Sequence, residues 1–128
     1  IEVNYLGPVR LTKLVLPGMR EAGRGRILSV TSVGGAVGQP FADAYCGAKF
    51  ALEGFMQSLA PVAERFGVHG SVMEPGAVAS AFVENAVRPE VEDGPYAELL
   101  QAYYRRTEGA FAAAQSAESA GTAIAAAA

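Results

Sequence analysis

The chain has 128 residues, 51% of them hydrophobic, a formal net charge of −3, one cysteine and one histidine. That length allows one domain at most, with enough apolar content to bury a core. The acidic balance without a basic cluster excludes an electrostatic footing for nucleic acid, the lone Cys46 excludes an internal disulfide and fits a reducing cytoplasm, and no apolar run or leader pattern reads as a membrane span or signal peptide.

Residues 1–20 carry apolar side chains at Leu6, Val9, Leu11, Leu14, Val15 and Met19, a helical rather than alternating spacing, and Gly23 and Gly25 supply the stop. Pro8 has two readings. Inside a helix it removes the N–H that would bond the Asn4 carbonyl, leaving that acceptor free; at a helix start it is a welcome first-turn residue. Residues 26–32, RILSVTS, are β-branched-rich and bounded by glycines, which predicts a strand buried on both faces with Ser32 at its carboxyl end. In open parallel sheets the ligand crevice lies outside that end. Gly34, Gly35 and Gly38 then allow a tight turn and close approach to a bound molecule; they form no G-x-G-x-x-G or P-loop pattern and are assigned to the substrate side.

A second helix is expected over residues 43–66, capped by Asp43, with Tyr45, Lys49, Leu52, Met56, Leu59 and Ala63 on one stripe. Phe50, Phe55 and Val62 make its other faces apolar too, and Pro61 should kink or break it. Residues 68–74 read as another buried strand ending at Pro75-Gly76, with His69 at its start and away from the crevice. Residues 81–111 hold Phe82, Tyr96, Leu99, Leu100, Tyr103, Tyr104 and Phe111, readable as core packing or as an apolar pocket. The alanine-rich end, residues 112–128, favours helix by intrinsic propensity.

The chemistry concentrates between Ser32 and Lys49. Tyr45 follows Ser32 by thirteen residues, and Lys49 follows Tyr45 by four, which sets a phenol beside a fixed ammonium on one helix face. A neighbouring cation favours phenolate and draws a tyrosine toward general acid/base use. Ser32 adds a neutral hydroxyl for the oxygen being protonated or deprotonated. The chemistry implied is proton exchange at an alcohol or carbonyl.

Ser32, the Tyr45-x-x-x-Lys49 motif and Asn4 on the earlier helix, followed by the Pro75-Gly76 turn 26 residues after Lys49, resemble the short-chain dehydrogenase/reductase family, in its hydroxysteroid and retinol dehydrogenase subgroup. GRILSVTSVGG, GQPF, AYCGAKFALEGF, GVHGSVMEPG and VASAF all fall in family order, so the resemblance covers nearly the whole chain. Ala48 stands where a Ser is common, and Ser80 where a Thr is usual. The resemblance implies an α/β, Rossmann-type doubly wound parallel sheet. It also implies a catalytic tetrad of Asn4, Ser32, Tyr45 and Lys49, with an Asn4-held water relaying protons to Lys49. NAD or NADP would be held by Tyr45 and Lys49 at the ribose, with Pro75, Gly76, Val78 and Ser80 at the nicotinamide. Residues 81–111 would form a substrate lid, and the helices at 4–20 and 45–66 would pack against a second copy in a homo-oligomer.

No glycine-rich first βαβ unit for the pyrophosphate is present. The expectation is therefore the second half of such a domain over residues 1–128, with about two strands and three or more helices, unable to fold or turn over alone. The function implied is hydride transfer between a nicotinamide and a secondary alcohol or ketone, steroid, retinoid or another hydrophobic molecule. A non-catalytic scaffold of the same fold is the alternative. A serine hydrolase built on Ser32 is disfavoured, because Ser32 lacks the G-x-S-x-G elbow and His69 lies at the wrong end of its strand.

Overall fold

The structure, a computed structural model, describes residues 1–82, 85, 90 and 93–128, in two compact units, Ile1–Pro75 and Gly76–Ala127. In the first unit the chain enters on a widened helical turn, Glu2–Leu6, in which the Leu6 and Gly7 N–H groups reach back five residues to the carbonyls of Ile1 and Glu2. It continues into α1, Gly7–Ala22, which stops where Gly23 takes the left-handed conformation at φ 65°. Pro8 lies in the first turn of α1, where its missing N–H costs nothing to that helix. Backbone angles stay helical through Leu6 and Gly7, so Pro8 also stands where an α-type bond to the Asn4 carbonyl would need a donor and offers none. The first-turn reading of Pro8 is the one this geometry bears out.

Strand β1, Gly25–Val30, lies parallel to β2, Val68–Met73, in the register Gly25↔Val68 through Val30↔Met73. Parallel neighbours need a long crossover, and here it contains α2, Asp43–Glu64. Leu52, Met56 and Val68 are fully buried, each stabilising the fold by about 1.5–3 kcal/mol. The core thus lies between the stripe of α2 and β2.

Five expectations change. Strand β1 is not buried on both faces: Ile27 and Leu28 are half-buried and Val30 is exposed, since β2 is its one paired neighbour among the described residues. Asp43 is not a cap; Ala42 holds that position without a side-chain bond, and Asp43 sits inside the first turn, where its charge suits the helix dipole. Pro61 does not break α2, because it and the residue four back, Gln57, face water, so the freed carbonyl is solvated. Strand β2 is not buried along its length either: Val68 is buried, but His69 and Ser71 are exposed. On α2, Phe50 and Val62 are exposed, so burial within this chain is confined to one side of that helix.

The second unit holds a two-residue parallel pair, β3 (Val78–Ala79) and β4 (Gln115–Ser116), with α3, Ala97–Ala112, and α4, Ala117–Ala127. Neither short strand was legible in the sequence. Phe82 stacks on Phe111 with ring centroids 6.4 Å apart, while Tyr96 and Leu99 are exposed. Part of the 81–111 segment lies outside the described residues, and the lid expectation falls partly there. No helix among the described residues is long and apolar enough to cross a membrane.

Candidate active site

Ser32, Tyr45, Lys49 and Pro75 gather at the carboxyl ends of β1 and β2; no hydrogen bond joins Asn4 to them among the described residues. Ser32 leaves β1 in extended conformation at φ −174° and caps a short 3-10 turn, Val33–Gly35, its Oγ accepting the Gly34 N–H at 3.1 Å. The Pro75 carbonyl accepts the Val33 N–H at 3.2 Å, which ties the segment after β2 to the turn that carries Ser32.

Gly34 is the hinge of this arrangement. A Cβ on it would come within 3.1 Å of Tyr45 Cε1, 3.4 Å of Cys46 Sγ and 3.5 Å of Ser32 Oγ. Ser32 and Tyr45 therefore flank one buried glycine, whose lack of a side chain lets the turn lie against the start of α2. The need here is for space, since neither Gly34 nor Gly35 has a positive φ; Gly38 has no heavy atom near enough to exclude a side chain. Cys46 Sγ accepts the Gln39 N–H at 3.4 Å, which fastens the loop before α2.

Lys49 lies one turn after Tyr45, its ammonium 5.8 Å from the centre of the Tyr45 ring. Its Nζ donates to the carbonyl of Val30, the last residue of β1, at 3.2 Å. Burial pulls the Lys49 pKa below its ordinary value of 10.5, because the charged form loses hydration. Asn4 stands half-buried in the widened turn that packs against α2.

Structure thus brings Ser32, Tyr45 and Lys49 into one cluster, with Pro75 tied to its turn. Gly76, Val78 and Ser80 belong to the second unit, where Val78 pairs with Gln115 and Ser80 Oγ accepts the Phe82 N–H at 3.4 Å. His69 is exposed at the opposite end of the strand pair, 3.9 Å from Glu64 Oε1, as its place in the sequence led us to expect. Two buried polar residues beside the cluster, Thr31 and Glu53, escaped the sequence reading. Glu53 had a signal, a carboxylate at four-residue spacing beyond Tyr45 and Lys49 and beside the apolar Leu52 and Met56; Thr31 had none.

The arrangement can hold a hydroxyl or carbonyl oxygen between a phenol and a serine, with a fixed cation beside the phenol. A sequence model of the family described as short chain dehydrogenase matches residues 1–91. The chain is 42% identical over 123 residues to the 17-beta-hydroxysteroid dehydrogenase type 1 of Mus musculus, covering 92% of this chain and 36% of that protein. It is 46% identical over 81 residues to retinol dehydrogenase 8 of Homo sapiens, over 63% of this chain and 26% of that one. Among solved structures, a short-chain dehydrogenase from Streptomyces avermitilis matches with a TM-score of 0.74 at 30% identity, over 96% of this chain and 44% of that one. An NAD+-bound xylitol dehydrogenase matches with a TM-score of 0.60 at 25% identity, over 62% and 31% of the respective chains. The chain thus spans roughly a quarter to a third of the length of these curated relatives. With the family pattern matched over most of its length and the parallel β1–α2–β2 frame in place, the chain belongs to the short-chain dehydrogenase family, and its fold is an α/β, Rossmann-like one.

Proposed function

We propose that the protein carrying this chain is an NAD(P)-dependent oxidoreductase acting on a secondary alcohol or ketone. The observation that carries the reading is the Tyr45–Lys49 pair set beside Ser32 at the carboxyl ends of two parallel strands.

The donor set suits a nicotinamide dinucleotide. Lys49 has three N–H donors, one of which reaches the Val30 carbonyl, so the ammonium can serve ribose hydroxyls while staying against the Tyr45 ring. Tyr45 and Lys49 would hold the ribose, and Pro75, Gly76, Val78 and Ser80 the nicotinamide. Bound there, that group supplies the hydride acceptor or donor. Tyr45 takes or gives the hydroxyl proton of the alcohol or carbonyl oxygen. Lys49 stabilises the phenolate by charge, Ser32 hydrogen-bonds the same oxygen, and the Asn4 carbonyl holds a water that relays the proton onward. Relatives named for hydroxysteroids and retinol support a bulky apolar substrate. Exposed Leu11, Leu14, Phe50 and Val62 on α1 and α2 support assembly with a second copy through the helices at 4–20 and 45–66.

The test is nicotinamide absorbance with NAD and NADP across steroid, retinoid and aliphatic alcohols, using the full protein beside its Tyr45→Phe variant. Turnover that collapses in the variant is expected. Absence of nicotinamide binding and of any alcohol or ketone reaction would favour the non-catalytic scaffold instead.

A further inference from the structure

We propose that Thr31 and Glu53 form a positioning pair that holds Ser32 in register with Tyr45 and Lys49; the proposal rests on the oxidoreductase reading above. Thr31 is the residue before Ser32, and Glu53 lies one helical turn beyond Lys49 and two beyond Tyr45, on the same face of α2. Thr31 is 4% exposed and Glu53 5%. The Thr31 hydroxyl donates to Glu53 Oε1 and to the Met73 carbonyl, the latter at 3.0 Å, so its one hydrogen is shared between two acceptors. The Thr31 N–H also meets the Met73 carbonyl, at 2.7 Å. One residue thereby ties the end of β1 to the end of β2 and to the helix that bears Tyr45 and Lys49.

The turn after Ser32 is seated on the same stretch of helix. A Cβ on Gly35 would come within 3.1 Å of Glu53 Cγ and 3.3 Å of the Lys49 carbonyl. Packing alone does not explain a carboxylate in this place, because Leu52 and Met56 beside it are fully buried and an apolar side chain would carry no desolvation cost. A directional bond does what an apolar contact cannot: it fixes the distance between strand end and helix. Ser32 and Tyr45 are on opposite sides of that junction, so their spacing follows from it.

The experiment is steady-state kinetics of the full protein with the nicotinamide and the secondary alcohol that turn over in the assay above. Thr31→Val, which keeps the shape and removes the hydroxyl, is expected to lower kcat about tenfold to a hundredfold while KM for both reactants stays within about twofold. Thr31→Ser restores most of kcat, and Glu53→Gln, which keeps an acceptor oxygen, loses less than Glu53→Met. On a Ser32→Ala background Thr31→Val costs under about twofold, because the group it positions is already gone. A Thr31→Val enzyme with unaltered kcat, a Thr31→Ser enzyme equally impaired, or the same fold-loss on the Ser32→Ala background overturns the proposal. Should Thr31→Val not fold, the Glu53→Gln and Glu53→Met comparison decides it, equal losses overturning it. No turnover by the unsubstituted protein would overturn the oxidoreductase reading instead. The pair is then read from NMR of the Tyr45 ring, whose signals should move in Thr31→Val and not in Thr31→Ser; unmoved signals in both overturn it.

Discussion

The two ends of the β1–β2 pair are built on different physics. At the amino end, polar groups stay in water: Arg26 and His69 are exposed cross-strand neighbours, and the His69–Glu64 approach of 3.9 Å lies on the surface. Close packing there is backbone on backbone, with the Gly25 N–H donating to the Gly67 carbonyl at 3.1 Å and a Cβ on Gly67 meeting the Gly23 carbonyl. At the carboxyl end the polar groups are drawn in: Thr31 and Glu53 are buried, Lys49 is half-buried, and each bonds across an element boundary. Burying polar groups costs free energy unless each finds a partner, and every buried side-chain polar atom among the described residues has one. A chain under no other demand would build both ends like the first. The reaction proposed above would need fixed donors and charges at the second end, and that is the end where the fold buries its polar groups.

The sharpest break in that contrast is Tyr45→Phe, which removes the phenol oxygen and leaves the ring against Gly34. Turnover of the full protein should fall by about a thousandfold, equivalent to about 4 kcal/mol, with folding unaltered by circular dichroism. Next is Gly67→Ala at the opposite end. The left-handed φ of 73° and the Gly23 carbonyl both oppose a side chain, so a loss of roughly 2–3 kcal/mol in urea unfolding is expected, with activity per folded molecule unchanged. A Gly67→Ala protein as stable as its parent would remove the claim that backbone fit governs this end.

Gly34→Ala should separate the ends in the other direction. Its new methyl, 3.1 Å from Tyr45 Cε1, displaces ring or turn by a few tenths of an ångström. The expected result is a drop in kcat of about tenfold with little loss of stability. The smallest effect concerns pH. Burial disfavours the ammonium of Lys49, so the folded chain binds that proton less tightly than the unfolded chain does. The resulting penalty is present while Lys49 is charged and fades as pH rises from the lowered value toward 10.5, so stability attributable to Lys49 increases through that window. Lys49→Met should abolish this rise, seen as the difference between its urea midpoints and those of the parent at alkaline pH. Parallel curves for the two proteins would show that Lys49 is not desolvated.

What the sequence by itself determined was local. Spacing placed Tyr45 and Lys49 on one face of α2, and the glycine-bounded β-branched run placed Ser32 at a strand end, because a four-residue helical step and strand propensity depend on neighbours in the chain. Apolar periodicity likewise found Leu52, Met56 and Ala63 on the buried side. Capping at Asp43 and a break at Pro61 were local readings too; the first failed because the helix begins one residue earlier, with Ala42 at the cap, and the second because which side of a helix faces water is a tertiary matter. Only the tertiary structure decided that Gly34 lies flush against the Tyr45 ring, and that Thr31 reaches across 22 residues to Glu53 and 42 to Met73. Contacts over such separations have no period and no spacing rule. They exist because β1, α2 and β2 pack together, and packing is what gathers a serine, a tyrosine and a lysine from separate turns of the chain into one cluster.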